Sequence, residues 1–201
     1  YMYSYQQKMI QTFISNRFVI CKMPRQTGKS TTLIAYILWY ALFNSEVKIA
    51  ILANKLATAR ELLGKFRLAY ERLPIWLQQN VVGWNKSSVE LENLSTVMAA
   101  ATSSDAVRGF TFNLIFLDEF AFVPQNMAEE FFRSTFPTIS SGVTTKVMIV
   151  STPNGLNMFY KLWTDAEEKR NEYIPIEVHW SEVPGRDVKW KEETIQNTSE
   201  S

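Results

Sequence analysis

Phe18-Val-Ile-Cys-Lys-Met-Pro-Arg-Gln-Thr-Gly-Lys-Ser-Thr-Thr32 is a short run of strand formers that turns, after a proline, through Gly-Lys-Ser into a second apolar segment. The order predicts a buried strand, a phosphate-binding loop and a helix that starts at the loop. Each residue type at the turn has a use. Gly28 lets the backbone approach a ligand closely, and the amides at the helix start face an anion. Lys29 reaches outer phosphates, and Ser30 offers a hydroxyl to a magnesium ion. A full Gly-x4-Gly-Lys-[Ser/Thr] fingerprint would place glycine at position 23, where Met23 precedes Pro24. The context supplies what that glycine does not. Phe18 to Cys21 is apolar throughout, as in a strand covered on both faces, and Leu33 to Phe43 is apolar nearly all round, as in a helix between layers. The helical run falls short of the roughly 20 apolar residues that a bilayer requires, which excludes a membrane span.

Working outward, Asn113-Leu-Ile-Phe-Leu-Asp-Glu-Phe120 is a second strand pattern that ends in two carboxylates. An Asp-Glu pair often does no more than close a strand. Combined with Gly-Lys-Ser in a chain that alternates strand and helix patterns, it reads as a Walker B strand. Asp118 then holds magnesium, and Glu119 orients and deprotonates the attacking water. The two motifs together imply a nucleoside triphosphatase that uses Mg2+.

The remaining segments fit one α/β unit. Helices are expected over residues 4–15, 57–73, 127–134 and 157–170 in addition to 29–43. Strands are expected over 18–22, 47–53, 113–119, 146–151 and 173–179, with a hairpin or strand pair over 89–101 broken at Glu92-Asn93. The basic residues Arg60, Lys65, Arg67 and Arg72 read as a solvated helix face, with DNA contact as the alternative. Beyond Pro184 and Gly185 the apolar pattern thins, so the expected division is an ATPase domain at 1–184 and an extended or fraying tail or linker at 185–201. With 201 residues, 46% of them hydrophobic, the chain can bury a sizeable single core. Twenty-one basic residues against 20 acidic ones leave a net charge of +1, so attraction to nucleic acid would have to come from a local groove. The single Cys21 excludes a disulfide within one chain and favours an intracellular setting. One histidine, His179, makes no metal cluster, and the six tryptophans are scattered as packing residues are.

Several motifs in order resemble the ATPase domain of the large terminase subunit of tailed bacteriophages, the DNA-packaging motor, and are closest to the T-even-like phages. They are Tyr5-Gln6, Pro24 to Ser30, Ile51-Leu-Ala-Asn-Lys55, Ser104-Asp-Ala-Val-Arg-Gly109, Leu117-Asp-Glu119 and Ser151-Thr-Pro-Asn-Gly-Leu-Asn157. The resemblance covers nearly the whole chain, and Met23 fits a family whose phosphate loop often lacks the first glycine and carries an arginine. It implies a P-loop NTPase of the additional-strand catalytic-glutamate type, with a mainly parallel sheet flanked by helices. It assigns nucleotide contacts to Gln6, Arg25, Gln26, Thr27, Gly28, Lys29, Ser30 and Thr31. Within that set Gln6 reads the adenine edge, for which a helix-surface glutamine beside Gln7 and Gln11 is the plainer reading. Arg25 is an in-chain arginine finger or sensor. Ser151 and Thr152 form the coupling motif, and Arg108 matches a residue proposed to reach a neighbouring subunit's site, a core or salt-bridged arginine being the competing reading. The implied partners are double-stranded DNA, the portal protein of the prohead, the small terminase subunit and further copies in a ring. The implied location is the cytoplasm of the infected host, outside the finished virion. Large terminases also carry a nuclease in a separate C-terminal domain, which the roughly twenty residues after Trp180 are too few to form. A helicase-like translocase and a non-hydrolysing regulatory module are the rival functions.

Overall fold

The computed structural model describes residues 1–103, 105–107, 109–141 and 144–198. Helix α1 (Ser4–Ser15) leads into β1 (Phe18–Lys22), the phosphate loop and α2 (Lys29–Phe43). There follow β2 (Lys48–Ala53), α3 (Leu56–Glu71), β3 (Val81–Trp84), β4 (Ser88–Leu91), β5 (Thr96–Ala101) and β6 (Leu114–Asp118). The chain continues through α4 (Gln125–Ser141), β7 (Lys146–Ser151), α5 (Met158–Glu167), β8 (Ile174–Glu177) and α6 (Val188–Thr198). The eight strands form one sheet in the order β3-β4-β5-β2-β6-β7-β1-β8. All pairings from β5 to β8 are parallel, while β3, β4 and β5 meander antiparallel at one edge.

Strict alternation along the central strands explains why their sequences are apolar throughout. Val19, Cys21, Ile49, Ile51, Leu114, Phe116, Met148 and Val150 face one layer with α1, α2 and α3. Phe18, Ile20, Ala50, Leu52, Ile115, Leu117, Val147 and Ile149 face the other with α4 and α5. Covering both faces removes both residue sets from water, at roughly 1.5–3 kcal/mol for each large side chain. Strand β7 stands between β1, which carries the loop, and β6, which carries the acids. That interposed strand is the additional-strand arrangement expected from the sequence.

Residues 4–15, 18–22, 29–43 and 146–151 form the elements expected of them, and the 89–101 pair is the β4-β5 hairpin. Three differences stand out, two of them with a physical reason. Strand β3 is an additional edge strand with Val82 and Gly83 exposed, so it carries little apolar signal. Helix α4 begins two residues before the expected 127 and continues through Pro137 to Ser141. Residues 188–198 are helical where an extended tail is expected. The Asp187 carboxylate accepts the Trp190 amide at 2.8 Å, and the Trp190 ring stacks on Trp180 at 6.2 Å. That helix rests on its cap and ring contacts more than on an apolar stripe, which is why hydrophobic patterning misses it. The basic residues of α3 are in part neutralised along the helix, with Lys65 paired to Glu61 at 2.9 Å and Arg67 to Glu71 at 2.8 Å. Among the described residues no helix is long and apolar enough to cross a membrane.

Candidate active site

In parallel α/β sheets the crevice outside the carboxyl ends of the strands receives loops rather than the next strand, and ligands bind there. Here the register brings Lys22 beside Ser151, and Asp118 beside Val150 and Ala53, so β1, β2, β6 and β7 all end at one edge. The phosphate loop crosses that edge. Gln26 and Gly28 both have positive φ, 57° and 70°. Such alternation turns successive amides into a concave, anion-accepting surface at the start of α2. Gly28 is favoured by its positive φ, and a Cβ there would lie 2.7 Å from Gln6 Nε2, so any larger residue would also displace the end of that side chain.

The loop is braced from both sides. Tyr5 donates its hydroxyl to the Thr27 carbonyl at 2.8 Å, Thr27 Oγ1 bonds the Pro24 carbonyl at 3.3 Å, and the Met23 amide donates to the Ser151 carbonyl at 3.1 Å. Met23 is buried in the apolar cluster under α2, so the residue that replaces the first fingerprint glycine anchors the loop by packing. Helix α1 brings Gln6 against Gly28 with its amide nitrogen toward the loop, while Gln6 Oε1 accepts the Tyr3 amide at 3.0 Å. Arg186, in the segment read as a tail, donates to the Arg25 carbonyl at 2.6 Å, a contact the sequence does not announce.

Across from the loop, Glu119 follows β6 in the left-handed conformation, φ 52°, and its carboxylate accepts a hydrogen bond from Lys29 Nζ in an ion pair. A non-glycine residue in that region is strained, and a strained backbone held in place at a strand end is characteristic of functional positions. Asp118 is 3% exposed, and its Oδ1 has no hydrogen-bond partner among the described residues. Burial pushes its pKa up to about 6; Lys29 pulls the other way and Glu119 adds to the rise. A buried, unpartnered carboxylate oxygen at the head of a phosphate loop suits a hard cation. Ser30 lies in the first turn of α2, and Mg2+ bound mainly through phosphates needs only one or two protein oxygens. Among the described residues no group of three or more His, Cys, Asp or Glu side chains converges. A cleft of about 310 Å³ opens between Arg25, Gln26 and Lys29 of the loop, Asn54 and Thr58 beyond β2, and Glu119 with Phe122. The Arg25 guanidinium lies 6.0 Å from the centre of the Phe122 ring at its rim.

Ser151 sits at the end of β7, between loop and acids. It is fully buried; its carbonyl holds Met23, and its hydroxyl accepts the Ala121 amide at 3.0 Å. Thr152 Oγ1 is buried with no partner among the described residues. Thr31 is exposed on the first turn of α2. Arg108 lies outside the described residues.

The raised pKa of Asp118 has a consequence for stability. The folded chain holds this proton more tightly than the unfolded one, so the group costs nothing below about pH 4. The cost grows as pH rises toward 6 and is complete above it. Asp118→Asn is therefore expected to stabilise the protein at pH 7 by about 1–3 kcal/mol, several degrees in Tm, when nucleotide and divalent ions are withheld. The gain should vanish near pH 4, as melting curves at the two pH values would show. An unchanged Tm at pH 7 would mean that the carboxylate is already compensated.

The fold matches solved terminases. The ATPase domain of the large terminase of Thermus phage P74-26 is 20% identical, with a TM-score of 0.76 covering 98% of this chain and 88% of that one. The HK97 bacteriophage large terminase is 14% identical at TM-score 0.75, covering 97% of this chain and 42% of that one. A thermophilic bacteriophage large terminase in complex with ADP is 13% identical at TM-score 0.71, covering 98% and 50%. The chain thus spans half or less of the length of the last two. At these identities the likeness shows a shared fold, whereas the sequence itself matches the N-terminal family of T4likevirus-type large terminase subunits over residues 20–201. That match covers most of the chain, which therefore belongs to the large terminase subunits of T4likevirus type.

Proposed function

We propose that this chain is the ATP-hydrolysing domain of a DNA-packaging motor, driving double-stranded viral DNA into a prohead. The observation that carries the reading is the Lys29–Glu119 ion pair beside the buried Asp118 carboxylate, whose Oδ1 has no hydrogen-bond partner among the described residues. In the proposed cycle the loop amides and Lys29 bind the outer phosphates of ATP, and Lys29 leaves Glu119 to do so. Ser30 and Asp118 hold magnesium, which when bound neutralises charge on the phosphate oxygens. Glu119, freed of its cation, takes a proton from the attacking water. Gln26, Thr27, Gly28 and Thr31 complete the phosphate cradle. Gln6 contacts the adenine edge, as its place against the loop supports.

Arg25 lines the cleft, and its forked guanidinium suits charge developing on the γ-phosphate. Lysine cannot copy that fork, so Arg25→Lys should lower turnover while leaving nucleotide affinity within about tenfold. A collapse of affinity would instead make Arg25 a binding residue. Ser151 and Thr152 are the coupling residues of this scheme. The proposed partners are the portal protein, the small terminase subunit and other copies of the chain in a ring, to which Arg108 would contribute, in the host cytoplasm. The test is hydrolysis of ATP by the purified chain with Mg2+ and with the ion chelated: magnesium-dependent release of phosphate supports the reading, and ATP binding without hydrolysis in every assembly state contradicts it.

A further inference from the structure

The backbone of Ala121, two residues beyond Glu119, is buried and held from three directions, by the last residue of β7 and by two asparagines of the segment that follows it. Its amide donates to Ser151 Oγ at 3.0 Å. Its carbonyl accepts from Asn157 Nδ2 at 2.8 Å and from Asn154 Nδ2 at 3.2 Å, which together engage both lone pairs. Asn157 is also the N-cap of α5: its Oδ1 accepts the Tyr160 amide at 3.1 Å, while its Nδ2 holds the Asn154 carbonyl at 2.8 Å. One side chain therefore joins the start of a helix to the turn that carries Glu119.

That turn needs holding. Glu119 adopts φ 52°, and the chain then makes the tight turn Phe120–Phe122, so the aim of the carboxylate depends on where the next two peptide units sit. Relaxation of this backbone toward φ below zero would swing the carboxylate away from Lys29 and the cleft. We propose that Asn157, seconded by Asn154, is a positioning residue for Glu119, and that α5 is the element to which the state of that turn is delivered. Any movement of the Glu119 turn must pull on the α5 cap, because the same amide side chain makes both bonds. This rests on the reading of Glu119 as the base.

The two ends of the Asn157 amide allow a clean separation of roles. Aspartate at position 157 keeps the acceptor for Tyr160 N–H, is at least as good a cap, and places negative charge at a helix N-terminus, so α5 should survive. It cannot donate to Ala121 and turns a charge toward that carbonyl. Asn157→Asp, and Asn154→Asp/Asn157→Asp in case Asn154 substitutes for its neighbour, should keep the fold and the nucleotide affinity, with a melting temperature lowered by the hydrogen bonds lost at the buried Ala121 carbonyl. Single-turnover hydrolysis of MgATP should slow by roughly 10- to 100-fold, as displacement of a catalytic group by about 1 Å does. In the Glu119→Gln background the same changes should add little further loss, since there is no base left to misplace. Asn157→Gln, which keeps the donor on a longer arm, should recover part of the rate.

Wild-type turnover in the folded double variant would overturn the proposal. So would losses that multiply undiminished on top of Glu119→Gln. If Glu119→Gln itself hydrolyses normally, the base assignment beneath the proposal fails; if it is slow while the asparagine variants are fast, only the positioning role fails.

Discussion

Lys29→Ala is expected to reduce MgATP turnover by at least about 10²- to 10³-fold, the scale set by removing one preorganised donor to a reacting oxyanion. The loss here is of a full charge in a site where Lys29 is only 9% exposed. The same substitution removes the cation of the Glu119 ion pair beside the buried Asp118 carboxylate, which costs stability. Loss of fold must therefore be separated from loss of chemistry. Lys29→Ala/Glu119→Gln removes the unpaired carboxylate and should recover most of the lost melting temperature without recovering turnover. Hydrolysis at the wild-type rate by a folded Lys29→Ala protein would remove the phosphate-site assignment.

Glu119→Gln carries the second large effect. Glutamine retains the size and one acceptor of the side chain but has no basicity, so turnover should fall by the roughly 10²- to 10⁴-fold that a general base supplies. Affinity should hold or improve, because Lys29 no longer has to leave an ion pair before it can meet the phosphates. Isothermal titration with an ATP analogue, beside single-turnover hydrolysis, distinguishes the two quantities. Turnover within about threefold of wild type would move the base elsewhere in the cleft.

Much of this site is legible in one sequence because the chemistry is concentrated at strand ends. Strands β1, β6 and β7 are apolar on both faces, so the places where polarity returns, at Lys22, Asp118 and Ser151, mark the edge of the sheet. Gly28, Lys29 and Ser30, an order that recurs by chance in many chains, become readable because an apolar strand precedes them and an apolar helix follows. What the sequence does not carry is contact between distant segments. Nothing in it says that Lys29 pairs with Glu119 rather than Asp118, that Asn157 bonds back to Ala121, or that Arg186 reaches the loop carbonyl of Arg25. Helix α6 and strand β3 escape for a different reason. The first is held by a cap and a ring stack, the second lies half exposed at a sheet edge, and neither leaves a strong apolar period. Met23, where the common fingerprint has a glycine, is a buried side chain that anchors the loop by packing, a role the fingerprint does not encode.

The most direct measurement is a crystal structure of the chain with Mg2+ and a non-hydrolysable ATP analogue. The account predicts phosphates against the amides of residues 26–31, the metal touching Ser30 and held directly or through water by Asp118 Oδ1, and Lys29 Nζ moved from Glu119 to the outer phosphates. Nucleotide bound away from this loop, or bound here with the Lys29–Glu119 pair intact and Asp118 uninvolved, would contradict it.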